Sequence, residues 1–193
     1  LHKLWERAAR RAELPLAYSQ GFHPQPKMNM AAALPLGFSS RCEVMDMKLE
    51  HAVSLSDLPT RLNTTLPAGL QVVDVEQVDE RAPALQTQVA SAEYEVTLTE
   101  SVDGSELKRK IDSVIESKSL PRERRGKIYD LRPLIEELTL TPTPLPEREG
   151  QRVRVFMRLA AREGATGRPE EVLDVLGIAF EETRIERTRL IFL

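Results

Sequence analysis

Between Ala92 and Leu193 the hydrophobic residues change period repeatedly, and these changes restrict the possible fold more than any single motif does. Ala92–Thr99 (AEYEVTLT) alternates apolar and polar residues, the signature of a strand with one buried face. Asp103-Gly104-Ser105 then forms a turn that offers an N-cap. Glu106–Glu116 follows, with Leu107, Ile111, Val114 and Ile115 at helical spacing. Lys127–Leu131 and Ile135–Thr141 return to strand character, and Pro142, Pro144 and Pro146 predict a stiff loop. Arg152–Ala160 (RVRVFMRLA) alternates strongly. Arg168-Pro169 opens a helix through Leu176, and Thr183–Leu193 closes with a strand. The order is β-α-β-β-α-β, that of a split βαβ unit.

The first half repeats the pattern without repeating the residues. Leu1, Leu4, Trp5, Ala8 and Ala12 form one apolar helix face within Leu1–Leu14. Lys27–Pro35 and Glu43–Leu49 are strand-like, and the second of these alternates through Val44, Met45, Asp46, Met47, Lys48 and Leu49. Ser56-Asp57 offers an N-cap for a helix ending at Leu66, before Pro67 and Gly69, and Leu70–Val78 (LQVVDVEQV) is strand-like. This gives (β)-α-β-β-α-β with its first strand missing. The expected fold is α+β: two tandem ferredoxin-like (split βαβ) units with antiparallel sheets. A first domain spans 1–80 and lacks its first strand, a polar linker with Pro83 spans 81–91, and a second domain spans 92–193. The chain starts with Leu inside a helical pattern, so it is expected to be a piece of a larger protein.

Charge divides the possible functions. The net charge of −3 conceals two basic islands. In residues 1–30, Lys3, Arg7, Arg10, Arg11 and Lys27 outnumber Glu6 and Glu13. In residues 107–132, nine Lys and Arg outnumber four Asp and Glu. Such islands on an otherwise acidic body bind polyanions locally. Arg7, Arg10 and Arg11 share a helix face by their i, i+3, i+4 spacing, and read either as a phosphate grip or as a solvated face beside Glu6 and Glu13. Arg122, Arg124, Arg125 and Lys127 lie beside Tyr129 in PRERRGKIYDLRP, a mixture that suits single-stranded RNA, or else form a hairpin with exposed charges. Asp130 and Arg132 would share a strand side and pair.

Tyr18–Phe38 (YSQGFHPQPKMNMAAALPLGF) carries the densest set of candidate contacts. Pro24 and Pro26 fix φ and remove backbone donors, so the loop is stiff. Tyr18, Phe22, His23 and Gln25 are candidates to line a held group. His23 reads either as an imidazole contacting substrate or as a surface histidine. Its distance in sequence from His2 and His51 gives no metal-ligand spacing. No Walker A loop, nucleophile elbow or membrane-length apolar run occurs. The single cysteine, Cys42, reads as a small buried hydrophobe, and one thiol cannot form an internal disulfide or hold an iron–sulfur cluster. With no signal-peptide pattern, a cytoplasmic location is expected.

The stretch W-E-R-A-x-R-R-A-x-L-P-L-A-Y-S-Q-G-F-H-P-x-P-K (Trp5–Lys27), then A-L-P-L-G (Ala33–Gly37) and K-x-x-D-L-R-P-L-I (Lys127–Ile135), resembles the radical-SAM-linked domain of unknown function. That domain is found beside, or fused behind, a B12-binding-type radical SAM protein. The family usually opens with a strand and a Ser-His-Leu-Asp segment; here His2 occupies the Asp-like place. The resemblance implies a radical SAM domain or protein as partner, with the 4Fe-4S cluster and S-adenosylmethionine held there and no cofactor in this chain. It implies no substrate. Together these features predict an accessory module, more non-catalytic than catalytic, that binds RNA (tRNA or rRNA) through Arg7, Arg10, Arg11, Lys27, Arg122, Arg124, Arg125 and Lys127. Two alternatives stand beside it: a metal-independent endoribonuclease using His23, and a docking module for the radical SAM domain.

Overall fold

A computed structural model describes residues 2–100, 102–141 and 153–193. In chain order the helices are α1 (His2–Arg11), α2 (Leu58–Asn63), α3 (Gly104–Glu116) and α4 (Pro169–Leu176). The strands are β1 (Met28–Met30), β2 (Ser39–Ser40), β3 (Met45–Met47), β4 (Val89–Leu98), β5 (Pro121–Arg124), β6 (Lys127–Asp130), β7 (Ile135–Thr141), β8 (Arg154–Arg162), β9 (Ala165–Thr166) and β10 (Thr183–Phe192). The protein is α+β. It divides into two compact units, Leu1–Ala31 with Met45–Leu85, and Ala32–Val44 with Gln86–Leu193. The expected Pro142–Pro146 loop lies outside the described residues.

In the first unit, α1 buries Ala8 and Ala9, and Ala9, Ala12, Leu14, Leu16, Met28, Leu58 and Leu62 form the core. The helix ends because Glu13 takes a left-handed conformation (φ 55°), while Arg61 donates to the carbonyls of Ala12 and Glu13. A side-chain donor thus satisfies carbonyls that the helix end leaves open. β1 and β3 pair antiparallel, with Met28 opposite Met47 and Met30 opposite Met45. Alternation puts those four thioethers on one side, and Met28, Met45 and Met47 pack on the core.

Two expectations for this unit are corrected. Leu70–Val78 is not a strand. Asn63 accepts from the Val72 N–H at 2.7 Å and donates to the Val72 carbonyl at 3.0 Å, so a side chain occupies the groups a neighbouring strand would have used. Val72 and Val75 still pack against the core. The α2 helix is also shorter than expected, ending at Asn63.

The second unit is a five-strand path, β2-β10-β4-β8-β7, with β9 paired to β8. Among themselves, β4, β7, β8 and β10 pair antiparallel, in the spatial order fourth, first, third, second. That order follows when two βαβ crossovers interleave in one sheet. Tyr94, Val96, Leu98, Val155, Met157 and Leu159 are buried on the sheet, as are Leu107, Ile111 and Val114 of α3 and Val172, Leu173 and Leu176 of α4. Glu93, Glu95, Arg154 and Arg158 alternate with the apolar sheet residues. Arg158 pairs with Glu93 at 2.7 Å and with Glu137 at 3.4 Å, and Arg154 pairs with Glu95 at 2.6 Å. One sheet surface is thus apolar and the other is a lattice of cross-strand ion pairs.

Ala32–Val44 is fastened to β10. β2 runs parallel to it, with Ser39 opposite Glu186 and Ser40 opposite Arg187. Arg187 is only 2% exposed. Its guanidinium meets both Glu43 oxygens (2.6 and 2.7 Å) and donates to the carbonyls of Ala32 (3.1 Å) and Ala33 (3.3 Å). Phe38 packs edge-on to Tyr94 and stacks on Phe180. The Ala33–Gly37 motif lies in this strap, with Leu36 exposed and Phe38, just beyond it, packed.

Candidate nucleic-acid interface

The Gly-Phe-His-Pro loop is closed at its base. Ser19 N–H donates to the Gln25 carbonyl at 2.8 Å, and Gln25 N–H donates to the Ser19 hydroxyl at 2.9 Å. Tyr18 bridges Pro26, and Lys27 N–H donates to the Ala17 carbonyl at 2.9 Å. Gly21, at φ +124°, makes a turn that a residue with a Cβ would resist. Beyond these ties, Phe22, His23 and the Gln25 side chain stand exposed, and Phe22 is fully so.

Helix α1 meets the loop at its base. Arg10 Nε donates to the Tyr18 hydroxyl at 3.0 Å, its guanidinium lies 5.6 Å from the Tyr18 ring centroid, and it pairs with Glu6 at 2.8 Å. The Tyr18 hydrogen bond, and then the charges of Tyr18 and Glu6, raise the Arg10 pKa further above its usual range. The Arg7 and Arg11 side chains are exposed and make no hydrogen bond or ion pair among the described residues. Lys27 is exposed, within electrostatic range of Glu80, which pairs with Lys48. Tyr18, Arg10, Lys27 and the loop tip therefore belong to one local assembly in the first unit.

The second island lies in the other unit, on the hairpin β5–β6. Arg125 (φ 53°) and Gly126 (φ 76°) form its two-residue turn; two successive positive φ values match the twist of the flanking strands. The four cations divide unevenly. Arg124 grips both Glu171 oxygens (3.0 and 2.5 Å), donates to the Thr166 carbonyl and the Tyr129 hydroxyl, and lies 4.7 Å from the Tyr129 ring centroid. Arg122 pairs with Asp174 at 2.7 Å and donates to the Glu171 carbonyl. Both arginines thus pin the hairpin to α4. Arg125 and Lys127 remain exposed without an ion pair among the described residues. Tyr129, the aromatic expected to stack on bases, is covered on one side by Arg124. Burial, and then the nearby Glu171, push its phenol pKa up.

His23 makes no hydrogen bond or ion pair among the described residues, whereas a general base needs an orienting partner. Asp130 and Arg132 do not form the expected ion pair. Asp130 accepts from the backbone N–H groups of Leu120 (2.7 Å) and Arg132 (3.0 Å), and the Arg132 guanidinium donates to the carbonyls of Ile115 and Ile135. Among the described residues no three His, Cys, Asp or Glu side chains converge as a metal-ligand group, and no helix is long and apolar enough to cross a membrane. Sequence reasoning missed the partners that consume Arg122 and Arg124. Glu171 and Asp174 are visible as acidic residues after Pro169, but their pairing with a hairpin more than 40 residues earlier requires the folded sheet.

These features describe an α+β protein with a tied, aromatic-tipped loop beside a basic helix in one unit and a docked basic hairpin in the other. The family model of an uncharacterized protein conserved in bacteria (DUF2344) matches residues 1–169, and the chain belongs to that family. No curated protein matches the chain.

Proposed function

We propose that this chain is an accessory substrate-binding module of a radical SAM system and that it binds RNA of the tRNA or rRNA kind. The supporting observation is that, within the two basic islands, Arg7 and Arg11 beside the Arg10–Tyr18 pair, and Arg125 and Lys127 at the hairpin tip, are exposed and not engaged by carboxylates. Cations left unpaired at a surface otherwise rich in ion pairs are those available to phosphates. The radical SAM assignment rests on the Trp5–Lys27 sequence resemblance. The 4Fe-4S cluster and S-adenosylmethionine belong to that partner, and a cytoplasmic location accords with this reading.

Fluorescence anisotropy with labelled tRNA and with a single-stranded RNA, titrated across about 50 to 200 mM salt, tests the proposal. Binding should weaken linearly on a log–log plot, and each of Arg7→Ala, Arg11→Ala, Arg125→Ala and Lys127→Ala should flatten the slope by roughly 0.7 to 1. Absence of salt-dependent binding at low ionic strength refutes it. Co-purification with a radical SAM partner that survives Arg→Glu changes in both islands, with no RNA bound, favours docking instead.

A further inference from the structure

Resting on the RNA reading above, we infer that Phe22 is a stacking platform for one unpaired nucleotide, so the RNA bound by the first unit is single-stranded at the point of contact. Phe22 is the most exposed aromatic among the described residues. Phe192 follows at 38%, while Arg10 lies over Tyr18, Arg124 over Tyr129, and Phe38 packs against Tyr94 and Phe180. An apolar ring in water usually turns back onto its own protein. Here the reciprocal Ser19–Gln25 bonds hold the loop base closed. Gly21 supplies a positive-φ turn on one side of Phe22, and Pro24 restricts the chain on the other. Phe22 stands three residues from each tied end, so its backbone projects at most about 10 Å from the base.

Such a ring offers its face to any base that is free to leave its own stack, because every base has a π face. Bases within an A-form duplex are already stacked, and their deep major groove is closed to side chains. Exposed cations of the same unit have the sign needed for the adjoining phosphates: Arg7 and Arg11 on α1, whose Arg10 bonds Tyr18, and Lys27 two residues past the loop base. Ordering cost is low, since the loop is held in place before any ligand arrives.

The test uses the full chain and three labelled RNAs of about ten nucleotides: oligo(A), the oligo(A)·oligo(U) duplex, and oligo(A) with central abasic positions. Oligo(A) should bind more tightly than either of the others. Phe22→Ala should weaken oligo(A) binding roughly 5- to 150-fold at fixed salt, leave the salt slope unchanged, and leave abasic binding unaltered. Phe22→Trp should retain or improve affinity. Because Phe22 makes no packing contact to lose, circular dichroism should be unchanged. Phe22→Ala binding oligo(A) like wild type, or duplex bound as tightly as single strand, overturns the inference. If the arginine variants still flatten the slope in that case, the broader RNA reading survives; if no RNA binds the wild type, both fall. Loss of radical SAM co-purification in Phe22→Ala with RNA binding intact would mark the loop as a protein contact and would also overturn it.

Discussion

Glu43→Ala should be one of the most damaging single changes to the second unit, although Glu43 is distant in sequence from most of it. Arg187 is 2% exposed, and its guanidinium donates to both oxygens of Glu43 and to the carbonyls of Ala32 and Ala33. Truncating Glu43 leaves a buried positive charge without the carboxylate that meets it at both oxygens. Removing one member of a buried pair costs about 3–5 kcal/mol. At about 2–4 °C per kcal/mol for a chain of this size, the melting temperature should fall by roughly 6–20 °C. Replacing the whole pair, Glu43→Ala with Arg187→Met, removes the unpaired charge as well, so the double variant should be more stable than Glu43→Ala alone. Thermal melts by far-ultraviolet circular dichroism give the overall shift. Hydrogen exchange of the β10 amides gives a readout within the second unit, where protection should drop in Glu43→Ala and return in part in the double variant. A melting shift below about 2 °C, or a double variant at least as unstable as Glu43→Ala, would refute the claim that the pair's net charge balance fastens the Ala32–Val44 strap.

Two further outcomes follow from the second unit. The backbone N–H groups of Leu120 and Arg132 hold the Asp130 carboxyl below the usual aspartate range. Its stabilisation is therefore complete above the unfolded value of about 3.9 and is lost as pH falls through the lower folded value. Asp130→Asn should be less stable than wild type at pH 7, and urea titrations at decreasing pH should show that gap closing below about pH 4; a gap independent of pH contradicts the assignment. Burial pushes the Cys42 thiol up, and its sulfur lies 3.5 Å from the Arg187 carbonyl. At pH 8 iodoacetamide should alkylate Cys42 more slowly in the native chain than in urea, read by mass spectrometry; equal rates would show that the thiol is not sheltered.

Much of the second unit was legible in the sequence because its strands and helices are long and periodic. Ala92–Thr99, Arg152–Ala160 and Thr183–Leu193 each alternate over enough residues to declare a buried face, and each overlaps a strand of the sheet. Leu70–Val78 has the same β-branched composition and fails as a strand, because Asn63 takes Val72's backbone groups before any neighbouring strand does. Composition reports what a segment tolerates; the partner decides what it forms. In the candidate interface, the basic islands and the stiff Gly-Phe-His-Pro loop were evident from charge and proline spacing. Which cations stay open was not, since Arg122 and Arg124 are neutralised by residues on α4.

The sequence by itself determined the α+β class, the two basic islands and the rigid loop, because all three depend on local period, local charge or local φ restriction. Tertiary structure decided that Ala32–Val44 belongs with the second unit, that Tyr129 is covered by Arg124, and that Phe22 stands open. Each of these depends on which distant group reaches a side chain first. A buried ion pair such as Glu43–Arg187 joins residues 144 positions apart, a separation that no local period encodes.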